Sequence, residues 1–327
     1  MFNIAVAGAT GNVGREILRT LHCSNIKINH IYPLASLRSA GKFVSFGNQD
    51  IEVLNLNNFD FDKADIVFFA TEADISKDFV IKASKKCRLV VDLSSYFRME
   101  DDIPLVVPEV NPQDIRMNNI IANPNCVAIP ILTAIKELHE YADIKKLILS
   151  TYQSVSGAGK LAMDQLYDQT KNKIFNAFSE LDNKSSYAFN LIPSIDKVTD
   201  SGYTQEENKI MHEIQKVLGV DIKVTATCVR VPVFVGHSIS LNIEFNKNIK
   251  PLEAVKVLQN TQGVIVTDYN SKEYFTPLDC VGQDDVFLSR IRQDEANSLN
   301  MWIVADNLKK GAALNAVQIA QKFIEKQ

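Results

Sequence analysis

A cysteine at position 126 has the surroundings expected of a nucleophile. It follows Asn123-Pro124-Asn125 and precedes the apolar residues 127–132, where a short buried strand pattern gives way to helical spacing. A thiol at the start of a helix lies beside backbone N–H groups that the helix does not use, at the positive end of the helix dipole, and both favour the thiolate. The pattern predicts a sulfur nucleophile, and a small residue in the core is the alternative interpretation.

Four polar residues of the second half could act on a substrate. His237 stands at a glycine kink between two strand patterns, where a histidine could serve as acid or base near neutral pH or be structural. Arg230 lies in a run of valine and cysteine, and a buried charge there needs a partner such as a substrate carboxylate. Glu206 and Lys209 stand one turn apart at a predicted helix start, and could also be a solvated ion pair.

Three glycines near the N-terminus have the spacing of a dinucleotide-binding turn. Gly8, Gly11 and Gly14 lie between a short β-rich run and a helical pattern. The first two would let the backbone approach a pyrophosphate, and the third would let the helix pack on the sheet. The spacing alone is a weak signal, but its strand, turn and helix context predicts dinucleotide binding.

The turn after the second predicted strand indicates which dinucleotide. An NAD site usually carries an acidic residue here for the ribose hydroxyls, whereas this stretch offers Ser36, Arg38 and Ser39. Hydroxyl and cationic groups favour NADP through its 2′-phosphate, and a solvated basic loop is the alternative. Arg98, just past a later strand, could hold an anion or form a surface ion pair.

Alternating strand and helix patterns predict the elements that position these residues. The strand patterns of the first half lie at residues 3–7, 30–34, 65–70 and 88–93. Helical stretches separate them, which predicts βαβ units and a parallel sheet. The strand patterns of the second half lie at residues 146–153, 223–235, 238–245 and 300–306. They predict an α+β domain with an antiparallel sheet, and an amphipathic helix at 308–325 is expected to return to the first domain.

Amino-acid composition and charge limit the classes of protein to which the chain can belong. A chain of 327 residues with 46% hydrophobic and 23% charged residues is expected to form two globular domains. A net charge of -4 gives no broad reason to bind nucleic acid or an anionic membrane, and no stretch has the length of a membrane span. Five scattered cysteines without a Cys-x-x-Cys pair argue against a disulfide framework or a metal site. We therefore expect a cytoplasmic protein.

Taken together and in this order, the motifs resemble the aspartate-semialdehyde dehydrogenase family over nearly the whole chain. The matching segments are Gly8-Ala9-Thr10-Gly11-Asn12-Val13-Gly14, Ala35-Ser36-Leu37-Arg38-Ser39-Ala40-Gly41-Lys42, Ser95-Tyr96-Phe97-Arg98, Val107-Pro108-Glu109-Val110-Asn111, Asn123-Pro124-Asn125-Cys126, Gln153-Ser154-Val155-Ser156-Gly157-Ala158-Gly159, Arg230-Val231-Pro232-Val233, Gly236-His237-Ser238 and Asp306-Asn307-Leu308-Lys309-Lys310-Gly311-Ala312-Ala313.

The resemblance implies a role for each candidate. Cys126 would be the nucleophile, His237 the acid/base, and Gln153 the group that orients the reacting carbonyl. The residues implied at the substrate are Arg230 and Glu206 for its amino-acid end, and Arg98, Asn125 and Lys209 for its phosphate. The residues implied at the cofactor are Gly8, Thr10, Gly11, Asn12, Val13, Ser36, Arg38, Ser39, Ser156, Gly157 and Asn307.

The same resemblance implies a fold and a reaction. The fold would be a Rossmann-type doubly wound parallel-sheet domain at residues 1–124 and 306–327, with an α+β catalytic and dimerisation domain, largely antiparallel in its sheet, at 125–305. The protein would be a homodimer that uses NADP and phosphate. It would interconvert L-aspartyl-4-phosphate and L-aspartate-4-semialdehyde through a cysteine thioester, in lysine, threonine, methionine and diaminopimelate biosynthesis.

One segment departs from the family, and two other interpretations stay open. Small residues are usual where this chain has Thr71-Glu72, and a glutamate that points toward the cofactor would repel a phosphate. A related NADP-dependent acyl-phosphate reductase, of the N-acetyl-glutamyl-phosphate reductase type, would share this architecture. A catalytically silent relative would keep the fold and bind only a dinucleotide or a protein partner.

Overall fold

The computed structural model describes residues 1–115, 119–175 and 184–326. The chain divides into two compact units. The first unit comprises Met1–Asn125 and Gly311–Gln327, and the second comprises Cys126–Lys310. The boundaries predicted from the sequence, after residues 124 and 305, lie close to these positions.

Helices occur in both units. They are α1 (Asn12–Cys23), α2 (Ala73–Ser84), α3 (Ala128–Ala142), α4 (Lys160–Phe175), α5 (Gln205–Leu218), α6 (Pro251–Gln259), α7 (Pro277–Cys280) and α8 (Leu314–Glu325). Short 3-10 turns lie at Leu56–Asn58, Phe61–Lys63, Pro112–Asp114 and Val155–Ala158, and a π-helical turn at Lys309–Ala313 precedes α8. No helix of the described ranges is long and apolar enough to cross a membrane.

The first unit is built on a six-stranded parallel sheet. Its strands and a separate hairpin are β1 (Phe2–Ala7), β2 (Ile28–Ala35), β3 (Phe43–Phe46), β4 (Gln49–Glu52), β5 (Leu54–Asn55), β6 (Ile66–Phe69), β7 (Leu89–Asp92) and β8 (Ile120–Ala122). The sheet order is β5-β2-β1-β6-β7-β8, and β3 pairs with β4. The order runs outward in both directions from β1, which confirms the predicted doubly wound parallel sheet.

Both faces of this sheet must be covered, since its central strands are apolar throughout. The last four residues of β1 and all of β6 are buried. Ile17 and Leu21 of α1 and Ala316 and Val317 of α8 belong to the same core cluster as the strands. The reversal of strand order at β1 creates a crevice at the carboxyl ends of β1 and β6, where open α/β sheets bind ligands.

The second unit contains a mixed sheet. Its strands are β9 (Ile144–Gln153), β10 (Lys223–Arg230), β11 (His237–Phe245), β12 (Val264–Val266), β13 (Val286–Gln293) and β14 (Ser298–Ala305). The order is β10-β9-β11-β14-β13-β12. The central pairs are antiparallel, while β10 with β9 and β12 with β13 are parallel. The prediction of a largely antiparallel sheet is confirmed, with parallel pairing at both edges.

Two features of the second unit differ from the sequence pattern or extend it. The strand predicted at 223–235 ends at Arg230, because Pro232 has no N–H to donate to a ladder. Residues 128–135 of α3 are all buried, and the helix contacts α5, α6, β13 and β14. A helical segment that is buried on all sides belongs in a core, so the first half of α3, which follows Cys126, is anchored firmly.

Candidate active site

Cys126 and His237 lie together in the second unit, although 111 residues separate them in the sequence. Cys126 directly precedes Val127, the N-cap of α3, and His237 is the first residue of β11. The Sγ atom lies 3.4 Å from Nε2 of the imidazole. A partly exposed thiol within hydrogen-bond distance of a buried histidine has the arrangement of a nucleophile and its acid/base partner.

The other cysteines have different surroundings. All five are free, and Cys87, Cys228 and Cys280 are buried. Burial raises the pKa of each of these three thiols to about 12. They are therefore protonated at neutral pH and inert. Cys23 is exposed on α1.

The hydrogen bonds of His237 fix where its proton lies. The backbone N–H of Ser154 donates to Nδ1 at 3.0 Å, and the Ser154 hydroxyl lies 3.1 Å from the same atom. Because a backbone N–H can only donate, Nδ1 is unprotonated and the neutral ring carries its proton on Nε2. Burial, and next the positive charge of Arg230, lower the pKa of His237 to about 3. The ring is neutral and its Nε2–H faces Cys126.

The carboxyl ends of β9 and β10 bring three more candidates together. Gln153 and Arg230 are register partners in this parallel pair. The Gln153 amide donates to Oε1 of Glu206 at 3.1 Å, and Arg230 donates from Nη1 to the carbonyl oxygen of Ser154 at 2.9 Å. All three side chains are buried. The Gln153 amide, the Arg230 guanidinium and the Glu206 carboxylate therefore lie in the same unit as His237.

Lys209 extends this group toward the surface. Its ammonium lies 2.6 Å from the carboxylate of Asp196 and 3.6 Å from Oε2 of Glu206. Glu206 lies in the first turn of α5 and its side chain is only 8% exposed. The two residues are therefore not a fully solvated pair, which was the alternative interpretation.

A short turn after β9 lies against these side chains. Ser156 and Gly157 belong to the 3-10 turn Val155–Ala158. A Cβ atom at Gly157 would lie 3.1 Å from Nη1 of Arg230 and 3.4 Å from Nε2 of His237. Gly157 therefore keeps a backbone surface open over both groups. Ser156 is buried and accepts a hydrogen bond at 2.9 Å from the amide of Asn307.

The first unit contains the predicted glycine turn at the carboxyl end of β1. Gly8 has a φ of +79°, and a Cβ atom there would collide with the carbonyl oxygen of Ala70, which follows β6. A Cβ atom at Gly14 would collide with the carbonyl of Gly8. Helix α1 has Gly11 as its N-cap, and among the described residues no side chain caps it. This bare backbone cradle at a helix N-terminus fits a dinucleotide pyrophosphate.

The turn after β2 contains the residues predicted to select NADP. Ser36, Arg38 and Ser39 follow Ala35 directly, and the Ser39 N–H donates to the Ser36 carbonyl at 2.8 Å. Ser36 and Arg38 are exposed. Since β2 lies beside β1 and parallel to it, this turn and the glycine turn both lie at the carboxyl ends of the strands. The remaining candidates Thr10, Asn12 and Val13 are half-buried in and just after the glycine turn.

The loop after β7 holds Arg98 within the first unit. Arg98 is buried and donates from Nη2 to the carbonyl of Leu93 at 2.8 Å. Asp92 accepts hydrogen bonds from Ser76 and Ser94, both at 2.7 Å, and burial raises its pKa against the opposing effect of these bonds. This buried carboxyl group ties the loop to α2. Asn125, also buried, is the last residue of the unit before Cys126.

The departure at Thr71-Glu72 has a structural explanation. Glu72 is exposed and is the N-cap of α2. Its charge lies at the positive end of the helix dipole, which is a favourable position. Thr71 has its hydroxyl 2.9 Å from that of Ser76. Glu72 therefore does not point into the core of the first unit.

Comparisons with known proteins match the chain over both units. A family model described as semialdehyde dehydrogenase, NAD binding domain, matches residues 3–118, and one described as semialdehyde dehydrogenase, dimerisation domain, matches 135–310. The aspartate-semialdehyde dehydrogenase of Rickettsia bellii is 50% identical over 99% of this chain and 98% of its own. That of Aquifex aeolicus is 44% identical over the same shares. The chain belongs to the aspartate-semialdehyde dehydrogenase family.

Solved structures of aspartate-semialdehyde dehydrogenases agree. The crystal structure of aspartate semialdehyde dehydrogenase II from Vibrio cholerae has a TM-score of 0.96 and 40% identity, with 99% of each chain covered. The same enzyme complexed with ASA has a TM-score of 0.95 and 39% identity, with 99% of this chain and 98% of that chain covered. Membership of this family makes the protein an oxidoreductase of amino-acid biosynthesis with a nicotinamide cofactor domain.

Sequence reasoning assigned no role to several residues that are hydrogen-bonded to the candidate residues. Ser154 bonds His237, Thr151 donates to Gln153 at 2.9 Å, and Asp196 pairs with Lys209. Ser154 lies 83 positions before His237, so no local spacing links them. Thr151 was within reach of sequence reasoning, because residues two apart in a strand share a face.

Proposed function

We propose that the protein interconverts L-aspartyl-4-phosphate and L-aspartate-4-semialdehyde with NADP, through a thioester on Cys126. The observation that carries this proposal is the 3.4 Å approach of the Cys126 sulfur to Nε2 of His237. A thiolate is the nucleophile that can both displace phosphate and leave again from a tetrahedral adduct.

In the biosynthetic direction, the proposed reaction proceeds by acyl transfer, reduction and release of the aldehyde. The Cys126 thiolate attacks the acyl carbon, the bond from that carbon to the phosphate oxygen breaks, and phosphate leaves with the electron pair and takes up a proton. NADPH, when bound, supplies a hydride to the thioester carbon. The resulting oxyanion collapses to the aldehyde as the carbon–sulfur bond breaks, which returns the thiolate. His237 is the proposed acid/base partner, since its Nε2–H faces the Cys126 sulfur, whose thiolate charge is lost when the thioester forms and returns when the aldehyde leaves.

The charged side chains of the second unit suit an amino-acid substrate. We propose that Arg230 binds the substrate carboxylate and Glu206 its ammonium group, because both are buried and oppositely charged to these groups. Gln153 would orient the reacting carbonyl through its amide, which donates to Glu206 in this structure. Arg98, Asn125 and Lys209 are proposed to bind the phosphate, as the family resemblance implies.

NADP is the proposed form of the nicotinamide cofactor. The glycine turn suits the pyrophosphate, and Gly8, Thr10, Gly11, Asn12 and Val13 supply its backbone. The exposed hydroxyl and guanidinium groups of the turn after β2 suit a 2′-phosphate. The further cofactor contacts that we propose are Ser36, Arg38, Ser39, Ser156, Gly157 and Asn307.

The assembly and the location are proposed on narrower grounds. The name of the matched dimerisation domain at residues 135–310 supports a homodimer. A cytoplasmic location remains a prediction from the sequence.

The deciding experiment measures NADPH formation by absorbance. Purified protein receives L-aspartate-4-semialdehyde, phosphate and NADP, with parallel reactions that omit phosphate, replace NADP with NAD, or offer N-acetyl-glutamate semialdehyde instead. The variant Cys126→Ser is the test of the nucleophile, and Cys23→Ser, the same change at an exposed cysteine, is its matched control.

We expect phosphate-dependent NADPH formation in the wild type and in Cys23→Ser, and none in Cys126→Ser. A preference for the N-acetylated aldehyde would replace the proposed reaction with that of the related reductase. No turnover by a folded protein that binds NADPH would identify a silent relative.

A further inference from the structure

The carboxylate of Glu207, the neighbour of Glu206 in the chain, connects helix α5 to strand β10. Its Oε2 atom accepts a hydrogen bond at 2.7 Å from the backbone N–H of Thr204, the N-cap of α5. Its Oε1 atom accepts one at 2.9 Å from the backbone N–H of Cys228 in β10. Glu207 is only 6% exposed, so these donors compensate a buried carboxylate. One side chain therefore completes the helix cap and also binds the strand.

The outer edge of β10 needs an acceptor at Cys228. β10 is the last strand on one side of its sheet, next to β9. Backbone N–H groups two residues apart in a strand point to the same edge, and the N–H of Arg230 donates outward to the carbonyl of Ile192 at 2.8 Å. The N–H of Cys228 therefore also points outward, where Glu207 supplies its acceptor.

The two connected elements carry the groups proposed to hold the amino-acid end of the substrate. Glu206 lies in the first turn of α5, and Arg230 is the last residue of β10. The ammonium and carboxylate of an α-amino acid are attached to one carbon atom, so their partners must be held at a defined separation to bind both. Glu207 is adjacent to Glu206 and bonds the residue two before Arg230. It therefore fixes the backbone of one partner relative to that of the other.

Other contacts of α5 do different work. Ile210 and Ile214 are fully buried, so apolar packing holds the middle of the helix. Gln153 bonds Glu206 at 3.1 Å, but its amide is assigned to the reacting carbonyl. Both oxygens of Glu207, in contrast, are engaged by backbone N–H groups that take no part in the reaction. Glu207 is thus a fixed support for the first turn of the helix.

We propose that Glu207 is a positioning residue that sets the separation between Glu206 and Arg230, and thereby lets the site distinguish an α-amino acid aldehyde from the same aldehyde without its ammonium group. The role rests on the substrate contacts proposed above for Glu206 and Arg230. Glu207 acts through these two residues, since its own carboxylate is occupied within the protein.

The variant Glu207→Gln removes the connection at almost constant shape. Two N–H donors face the carboxylate, whereas an amide offers an acceptor to only one of them and sets its own NH₂ group against the other. The matched control is Glu253→Gln in the first turn of α6, where the carboxylate accepts from the N–H of Lys250 at 2.8 Å. Helix α6 contacts β12 and β13, on the other side of the sheet from β10.

A second control separates the helix cap from the connection to β10. Thr204→Val removes the hydroxyl that accepts from the Glu207 N–H at 3.2 Å, but keeps the backbone N–H that donates to the Glu207 carboxylate. The helix then loses part of its cap, whereas the bond from Cys228 to Glu207 remains.

Steady-state oxidation of two aldehydes measures the discrimination. L-Aspartate-4-semialdehyde is compared with succinate semialdehyde, which lacks the ammonium group, at saturating phosphate and NADP. In Glu207→Gln we expect the KM for the aspartate aldehyde to rise roughly 10-fold, the value of one charge-assisted hydrogen bond, with little change in kcat. The kcat/KM for the succinate aldehyde should stay the same, so the ratio of the two kcat/KM values falls by the same factor. Both controls should keep the wild-type ratio.

Hydrogen exchange of the Cys228 amide, recorded without substrate or cofactor, tests the connection itself. We expect slow exchange in the wild type and in both controls. In Glu207→Gln the amide should exchange about 10-fold faster or more, because its acceptor is lost.

The proposal is overturned if the wild-type Cys228 amide exchanges as fast as an amide of an unfolded chain, a result that needs no variant to fold. It is also overturned if folded Glu207→Gln keeps the wild-type ratio, or if it loses kcat equally with both aldehydes, which would make Glu207 a purely structural residue. A wild type with the expected exchange but no turnover contradicts the proposed function alone.

Discussion

The candidate residues of the two units differ in how they are held. In the second unit they are buried side chains that already bond one another, as Gln153 bonds Glu206 and Ser154 bonds His237. In the first unit the cofactor candidates are turns at strand ends, with exposed side chains such as Ser36 and Arg38 or with bare backbone at Gly8. In the second unit the side chains are thus positioned before substrate binds. In the first unit the turns offer backbone and exposed side chains that a bound cofactor would contact.

This difference separates chemistry from binding. Preorganised hydrogen bonds are most effective where charge develops during a reaction. Open turns with backbone donors and exposed cations suit phosphate groups, which bring their own acceptors. Substitutions of Cys126, Gln153 or His237 should therefore change the rate, and substitutions in the turns after β1 and β2 should change cofactor affinity.

The largest effect is expected for Cys126→Ala. Loss of the nucleophile should lower kcat by roughly 10⁴-fold or more while NADPH affinity, measured by fluorescence titration, stays nearly unchanged. Cys228→Ala, at a buried thiol of β10, is the control and should cost some stability but little activity. Substantial turnover by Cys126→Ala would remove cysteine from the mechanism, and a parallel loss of NADPH binding would erase the distinction between the units.

Paired glycine substitutions test the backbone shape in the first unit. Gly8 and Gly41 both have a φ of +79°, but a Cβ atom at Gly8 would strike the carbonyl of Ala70, whereas nothing lies within 4 Å of one at Gly41. Gly41→Ala should cost about 1 kcal/mol from the left-handed backbone alone. Gly8→Ala should cost a further 1 to 3 kcal/mol, roughly, for overpacking, and should weaken NADPH binding.

Thermal unfolding and NADPH titration of both variants measure these effects. Equal losses of stability would mean that the turn can move away from Ala70. Unchanged NADPH affinity in Gly8→Ala would place the pyrophosphate elsewhere.

The loss of folding stability at low pH should show that His237 is buried in its neutral form. In the unfolded chain a histidine takes up a proton below about pH 6.5, but the folded protein does not do so until about pH 3. The unfolded state therefore binds more protons in this window, and stability is lost as the pH falls. At about pH 5 the loss should be about 2 kcal/mol relative to neutral pH, as measured by urea unfolding. His237→Gln should remove this part of the pH dependence, and the same change at exposed His30 should not.

Local sequence patterns are sufficient to predict much of the fold. The glycine turn, and the apolar runs that became β1, β6 and β7, are signalled within a few residues, and the parallel order follows from their alternation with helices. The region from α6 to β13 has no clear sequence pattern, since its elements are short or interrupted. The strand pattern at 223–235 was too long, because periodicity does not reveal where Pro232 interrupts pairing.

The hydrogen-bond partners of the candidate residues cannot be predicted from local patterns. Ser156 and Asn307 are hydrogen-bonded across 151 positions, and such pairs depend on strand register, which no short window contains. The resemblance to a family indicated which residues matter, and their roles stay predictions. The direction of the hydrogen bonds at His237 required coordinates.

The smallest effect is expected at Arg38. This side chain is exposed, so a contact with the 2′-phosphate is partly screened by water and salt. Arg38→Ala should weaken NADPH binding about 10-fold, the value of one charge-assisted hydrogen bond, and leave NADH binding unchanged, because NADH lacks that phosphate. Lys42→Ala, at another exposed cation of the same stretch, is the control. If Arg38→Ala weakens both cofactors equally or neither, the turn after β2 is a solvated basic loop. The first unit would then recognise the pyrophosphate through its backbone without selecting NADP, and the contrast with the side-chain chemistry of the second unit would be sharper still.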